Sequence, residues 1–309
     1  MKNLDSFLKF SERLNEEEIA QENGLSKEQI NFLDKKTGRT WKYNQTTGLI
    51  DADWFNASKE RLKDLQGIKF GTIEGNFNVS TNSLLNLDGG PKIVKGDFNV
   101  SVNKLTNLIG SPDFVGGTYF VTNNYSLVSV DGVSQDLNNF DAGYCSITSL
   151  KGFPKTTKGD FDAFGNKLTS LEGGPTIVGG YYSVGGNPLK SLHGSPSVCN
   201  FEFRCDSTDI TTFEGGPTKV LHFNSVTCKN LKSLKGAPTV VDGDFNVTGS
   251  NLTTLEGSPT IVKGFFKCGY NKLSSLSGGP VSVRAIVLSG NALSPAELLK
   301  TTQNNYKLG

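Results

Sequence analysis

Apolar residues recur along this chain with a period near 21, and the spacing changes within each period. The motif L-x-x-L marks one part of every unit. Its second apolar residue gives a series of anchors: Leu65, Leu87, Leu108, Val130, Leu150, Leu171, Leu192, Phe213, Leu234, Leu255 and Leu276. Successive spacings are 22, 21, 22 and 20, then six steps of 21. Gly follows every anchor by two residues, from Gly67 to Gly278, and Pro follows nine of the eleven by four. After the proline the chain alternates as V-x-G-x-F-x-V, as in Val178, Gly180, Tyr182, Val184 and in Val262, Gly264, Phe266, Cys268. Alternation predicts a strand with one buried face. The anchor segment L-x-x-L-x-G-x-P cannot be helix interior, because Gly and Pro fall where a helix needs donors and low backbone entropy. It predicts an extended, turn-rich return path. One unit buries little alone, so the units must stack into a solenoid with a continuous core.

An Asn stands two residues before the first leucine in many units: Asn82, Asn103, Asn166, Asn187, Asn271 and Asn291. Tyr125, Cys145, Thr208, Lys229 and Ser250 stand there in the others, and those coils are expected to rearrange locally, since buried polar groups need partners. Twelve strand positions at ~4.8 Å each give a length of roughly 55 Å.

The open ends of a solenoid need covers. Residues 1–40 predict a helical N-terminal cap, with Leu4, Phe7, Leu8 and Leu14 on one stripe and a capping box at Ser26 and Gln29 before Ile30 and Leu33. Residues 41–65 predict an incomplete first coil using Ile50, Phe55, Ala57, Leu62 and Leu65, and residues 66–293 the array. Residues 294–309 predict a closing helix and tail, with Ser294 as N-cap, Pro295 at the first helical position and Glu297 three after the cap.

The segment F-x-C-x-x-N-x-L-x-x-L at Phe266 to Leu276 resembles the leucine-rich-repeat consensus. The short period, with Pro after the second leucine and no helical half, resembles the short bacterial type. The wording LEGGP…VGG.F…N.L, with the lead-in from Phe32 to Ser80, is similar to uncharacterised leucine-rich-repeat proteins of tailed bacteriophages. The resemblance covers about residues 26 to 293, and the chain departs from it by placing Val79, Val100 and Val247 where that family favours Cys. It implies a right-handed β-solenoid (α+β) with a parallel sheet on the concave side, and brings no assigned activity with it.

Composition narrows the functional classes. A net charge of +1 gives no whole-protein field for nucleic acid or anionic membrane. Gly at 36 of 309 residues suits many tight turns. No apolar run approaches the ~20 residues of a membrane span. The N-terminus turns acidic without a long apolar core, so no secretory signal is expected and the host cytoplasm is, with a virion as the alternative. The N-x-S/T matches at Asn56, Asn78, Asn99 and Asn246 are then chance. Five scattered cysteines without a C-x-x-C pair read as free, packed thiols.

Other constellations are weak. Glu18 to Leu33 resembles a helix-turn-helix, but residues 1–40 hold seven Lys/Arg against eight Asp/Glu, which suits a cap better than phosphate binding. DADWFN at Asp51 to Asn56 opens like a calcium loop, yet Asn56 and Leu62 stand where Gly and Glu are required. His193 and His222 lie in different coils, with no nucleophile motif. Neither a catalytic group nor a metal or cofactor site is expected.

The outward strand positions remain. Asp97, Asn99, Asp160, Asp162, Tyr181, Ser183, Glu202, Arg204, Asp244, Phe265 and Lys267 occupy them, and Phe164 lies just past its strand. Aspartate recurs at one position and aromatics replace it elsewhere, a mixture suited to protein recognition. The coils at 138–146, 204–209 and 221–226 break the pattern. The expectation is a non-enzymatic protein-binding scaffold, phage-encoded, engaging a host or phage protein through the concave face. A virion or assembly component anchored by its N-terminal helices is the alternative. DNA binding at 18–36 is a third.

Overall fold

The computed structural model describes residues 24–303. The alternating segment folds as strand, but in two pieces. In a regular coil a first strand segment such as Ile177–Val178 is followed by a bend at Gly179 and Gly180, then a second segment, Tyr182–Ser183. Gly180, expected on the inward strand face, therefore sits in the bend. The bend brings its backbone against the coil before it, and a Cβ there would overlap the Asp160 carboxylate. Gly96, Gly117 and Gly264 face Asn76, Asp97 and Asp244 in the same way. Only glycine fits this approach.

The second segments stack in parallel register. Eleven successive pairings run from Phe55↔Phe77 to Phe266↔Ile286, so the described chain forms twelve rungs and about 11 turns. The fold is thus a parallel β-solenoid with few helices, its nineteen described strands joined in one sheet.

The core follows from the repeat. Eleven aromatic rings, from Phe55 to Phe266, form one column with neighbouring centroids 4.9 to 6.0 Å apart. Each pair adds about 0.5–1.5 kcal/mol beyond burial of its area. The L-x-x-L leucines are buried behind that column, for example Leu168, Leu171, Leu189 and Leu192. The return turn needs glycine: Gly173 has φ +87°, and a Cβ on it would lie 2.8 Å from the Lys151 backbone.

A polar ladder runs through this core. Asn187 donates from Nδ2 to the carbonyls of Ala163 (2.9 Å) and Val184 (3.0 Å), and its Oδ1 accepts from the Leu168 N–H at 2.9 Å. One side chain thus ties two coils and satisfies backbone groups where the strand ends. Asn82, Asn103, Asn166, Asn271 and Asn291 repeat the arrangement. Two expected substitutes prove to be neighbours of the true rung. Asn124, not Tyr125, holds the ladder in its coil, with Nδ2 donating to Val100 O at 3.1 Å. Cys228, not Lys229, does so in another, its thiol reaching Cys205 O at 3.2 Å. These two coils carry one extra residue between ladder and leucine, and the added residue is turned outward, leaving Tyr125 70% exposed. Cys145, Thr208 and Ser250 fill their rungs with shorter side chains that bond the same kind of carbonyl. The coils adapt at that side chain while the second strand segments keep their register; the shift between Cys199 and Glu202 falls at the bend.

At the N-terminal side, α1 (Lys27–Thr37) begins with the capping box of Ser26 and Gln29, both bonds present. It buries Ile30 and Leu33 and sets Phe32 edge-on to Phe55 at 5.9 Å. A hairpin of β1 (Lys42–Asn44) and β2 (Leu49–Ala52) follows, and β2 joins the parallel sheet at Phe70. Asp51 of the DADWFN stretch is in β2, accepting the Thr72 N–H at 2.6 Å. The Leu4–Leu14 stripe and the first half of the helix-turn-helix-like segment lie outside the described residues. At the other side, α2 (Pro295–Gln303) is capped by Ser294, whose Oγ accepts the Glu297 N–H at 3.2 Å. All five cysteines are buried and free. Burial pushes the Cys145 and Cys199 thiols up to about 11 and Cys268 up to about 12.

Candidate functional site

The residues flanking each column aromatic lie on the opposite strand face from it and are mostly half-exposed, but Ser183, expected to be outward and open, is buried there, as is Ala285. The one before the aromatic has a structural duty in six of the twelve rungs. Asp97 Oδ1 accepts the Thr118 N–H (2.8 Å), Asp160 Oδ1 that of Tyr181 (2.9 Å) and Asp244 Oδ1 that of Phe265 (2.9 Å). Asn76 and Asn139 do the same for Asp97 and Asp160, and His222 Nδ1 accepts from the Asp244 N–H at 3.0 Å. The recurrence of aspartate, expected as a recognition signal, is thus a coil-to-coil clamp at the bend.

The residue after the aromatic has a second local duty. Asn99 Oδ1 accepts the N–H two residues on, from Ser101 at 3.0 Å, closing the strand with a side-chain turn. Asn56, Asn78 and Asn246 do likewise. Asp141 and Asp162 make the same turn, accepting from Gly143 (3.2 Å) and Phe164 (2.7 Å). These two are paired rungs of adjacent coils, so like charges stand directly one above the other.

Around that pair lies a cleft of about 460 Å³, and it gathers Asp162, Phe164, Ser183 and Arg204 from the expected set. Tyr181 joins at its edge, its hydroxyl donating to Asp162 Oδ2 at 3.1 Å. Glu202 belongs to the same neighbourhood: the Arg204 guanidinium lies 3.8 Å from its carboxylate and 3.1 Å from that of Asp206. Asp141, Tyr144 and Asp206 are additional members. The sequence signal for the first two was the irregular run NNFDAGYCS, one residue short between its inward positions. Phe265, Lys267 and Asp244 form a separate cluster, with the Lys267 ammonium 2.8 Å from Asp244 and 5.5 Å from the Phe265 ring. Asp97 and Asn99 stand apart from both.

Two aromatic rings line the cleft. Tyr144 is 57% exposed and meets Phe164 at 5.4 Å and 66°, making a two-sided corner. The coils beyond leave space for the rings with glycines: a Cβ on Gly165 would come 3.0 Å from Tyr144, and one on Gly185 3.1 Å from Phe164.

The electrostatics are one-sided. The outward positions beside the aromatic column carry Asp97, Asp141, Asp160, Asp162, Glu202 and Asp244, and Asp206 lies just past its strand, seven carboxylates in all, against Arg204 and Lys267 beside the column. Both cations are in ion pairs with members of that set. The lysines at the bends, Lys95, Lys158 and Lys263, are bound to Glu74, Asp136 and Asp242 at 2.6–2.7 Å. Burial holds the Asp141 carboxyl above its ordinary value; the Gly143 N–H partly offsets this and the Asp162 charge adds to it. The Tyr181 hydroxyl is raised by burial and by Asp162. Burial alone would raise Asp244, but bonds from Lys267 and the Phe265 N–H outweigh it and leave the carboxyl below the ordinary range.

A recess of about 840 Å³ on the loop side, beside the extra residue of the Cys228 coil, is lined by Lys190, Lys229, Lys232 and Asp209. Among the described residues, no group of three or more His, Cys, Asp or Glu is placed to hold a metal, and no helix is long and apolar enough to cross a membrane. No protein-family model matches the chain, and comparison with curated proteins yields no match.

Proposed function

We propose that the protein is a non-enzymatic binding scaffold of leucine-rich-repeat type, engaging another protein through the outward face of its second strand segments. The observation that carries this reading is the central cleft: the Tyr144–Phe164 corner beside Asp141, Asp162 and Arg204, in a face where Asn56, Asn78, Asn99 and Asn246 hold corresponding places as turn-forming amides. Exposed aromatic and Arg side chains are the residues that most often anchor protein interfaces. A backbone fixed by stacked coils presents them at reduced ordering cost on binding. The repeat wording supports a phage-encoded chain whose partner is a host or phage protein.

The test is affinity capture from host lysate with the natural protein and with a Tyr144→Ala/Phe164→Ala variant, whose changes lie outside the aromatic column. Expected is a partner retained by the first and lost by the second. Equal capture by both removes this face as the binding surface. Recovery of the chain in purified virus particles, with no partner captured, would favour the structural alternative.

A further inference from the structure

The coil repeat says what each outward residue is required to do, so it also identifies what is surplus. The side-chain turn after the aromatic column needs only an Oδ1 acceptor. Asn56, Asn78, Asn99 and Asn246 supply it without charge. Asp141 and Asp162 supply it with charge, in adjacent coils, in paired register. Stacked like charges are destabilising in a sheet, and at the turns themselves the charge adds nothing that Asn does not give; the one further bond is that of Asp162 Oδ2, which accepts the Tyr181 hydroxyl.

Their surroundings indicate what the charge serves. The cleft sets these carboxylates beside an aromatic corner, Tyr144 and Phe164, whose ring faces attract cations. The single cation in its wall, Arg204, is already held by Asp206 and Glu202. The face as a whole has seven carboxylates against Arg204, Lys267 and Arg284, the last over the Phe265 ring, on a chain of net charge +1, so its negative field is local. An anionic partner such as nucleic acid or a lipid headgroup would meet repulsion here.

We infer that the cleft takes an arginine or lysine side chain from a cationic segment of the partner protein, seated against the Tyr144–Phe164 corner with its charge on Asp141 and Asp162. The inference rests on the scaffold reading and adds the chemistry of its partner. An arginine fits both halves of the site: its guanidinium stacks on an aromatic ring and donates to two carboxylates at once.

The experiment titrates the full chain with a hexa-arginine peptide by calorimetry at low salt, with the hexa-citrulline peptide as its neutral counterpart. The variant Asp141→Asn/Asp162→Asn keeps both turns, because Asn makes them in sister coils. The control Glu172→Gln/Glu256→Gln removes two charges from exposed return turns. Expected are binding of hexa-arginine alone, about ten-fold weaker in the Asp-to-Asn variant, which is ~1.4 kcal/mol, and unchanged in the control. Phe164→Ala is expected to weaken it about five-fold, since a cation on a ring contributes ~1 kcal/mol. Absence of hexa-arginine binding, equal binding of the citrulline peptide, or equal loss in the control overturns the inference. If hexa-arginine fails while Tyr144→Ala/Phe164→Ala still abolishes partner capture, the scaffold reading stands and the cationic partner falls.

Discussion

At the scale of single residues, the same position carries opposite costs in different coils. Tyr119 and Tyr182 occupy equivalent places in the aromatic column, both fully buried. The Tyr119 hydroxyl meets Ser111 Oγ at 2.8 Å, whereas that of Tyr182 has no hydrogen-bond partner. A buried hydroxyl without a partner costs about 1–3 kcal/mol. Tyr182→Phe should therefore stabilise the protein by about 1 kcal/mol or more, and Tyr119→Phe should destabilise it by a similar amount; urea midpoints of the two variants check the opposed signs. The bend gives a second case. Gly180→Ala would drive a Cβ into the Asp160 carboxylate and is expected to cost about 1–3 kcal/mol, as overpacking does. Adding Asp160→Ala removes the nearest obstacle and leaves the Gly159 backbone at 3.0 Å, so the double variant should be more stable than the sum of the singles predicts, with a coupling of about 1 kcal/mol. Strict additivity in that cycle would show that the clamp and the glycine are independent. Asp141 gives a third. Its carboxyl is raised in the folded protein, so the native state holds the proton more tightly than the unfolded chain does. Its contribution is then present below the unfolded value of ~3.9 and is lost as pH rises through the folded value. Asp141→Asn mimics the protonated form. It should raise the melting temperature at pH 7, and that advantage should shrink as pH falls into the carboxylate range.

At the scale of the coil, period and polarity were legible in the sequence, and the division of labour within the outward face was not. The 21-residue repeat, the Gly-x-Pro turn and the inward Val, aromatic and Val positions all fold as their spacing implies. Burial in a stack selects side chains directly, so the core pattern is written in hydrophobicity. The bend was hidden because Gly180 continues a period of two on paper, while its reason for being glycine lies in the coil before it, at Asp160. Aspartate at 97, 160 and 244 read as recognition for the same reason: its partner is a backbone N–H about 21 residues on, which no local pattern displays. Tyr125 and Lys229 were placed on the ladder by counting back from the leucine. One inserted residue shifts that count, and the structure gives the rung to Asn124 and Cys228. Asp141 and Tyr144 were missed among the site residues because their coil is a residue short between Leu137 and Phe140, which displaces the comparison with its neighbours. The ladder itself supports a prediction at this scale. Asn187→Ala strands the Leu168 N–H and two carbonyls in the core, and should cost about 3 kcal/mol. Asn291→Ala, in the half-buried last rung, should cost less than half of that in the same denaturation experiment.

At the scale of the whole molecule, each coil touches only its neighbours, so stability is a sum of coil terms and interfaces and not a property of one central core. Phe161 lies mid-column, with Tyr182 at 5.0 Å, Phe153 at 4.9 Å and Phe140 at 6.0 Å. Truncating it to Ala removes those interfaces and should cost about 3–5 kcal/mol. In a globular domain such a loss spreads over every protected amide. In a one-dimensional stack it should stay near its origin, lowering hydrogen-exchange protection in the strands of Phe140, Phe161 and Tyr182 far more than at Phe55 or Phe266. A uniform drop along all twelve rungs would mean that the array unfolds as a single cooperative unit. The distinction bears on function, because the proposed binding cleft is made by the same coils. If protection falls locally, Phe161→Ala should weaken hexa-arginine binding by loosening Asp141 and Asp162 against Tyr144 and Phe164, and truncation of Phe266 five coils away should leave it unchanged.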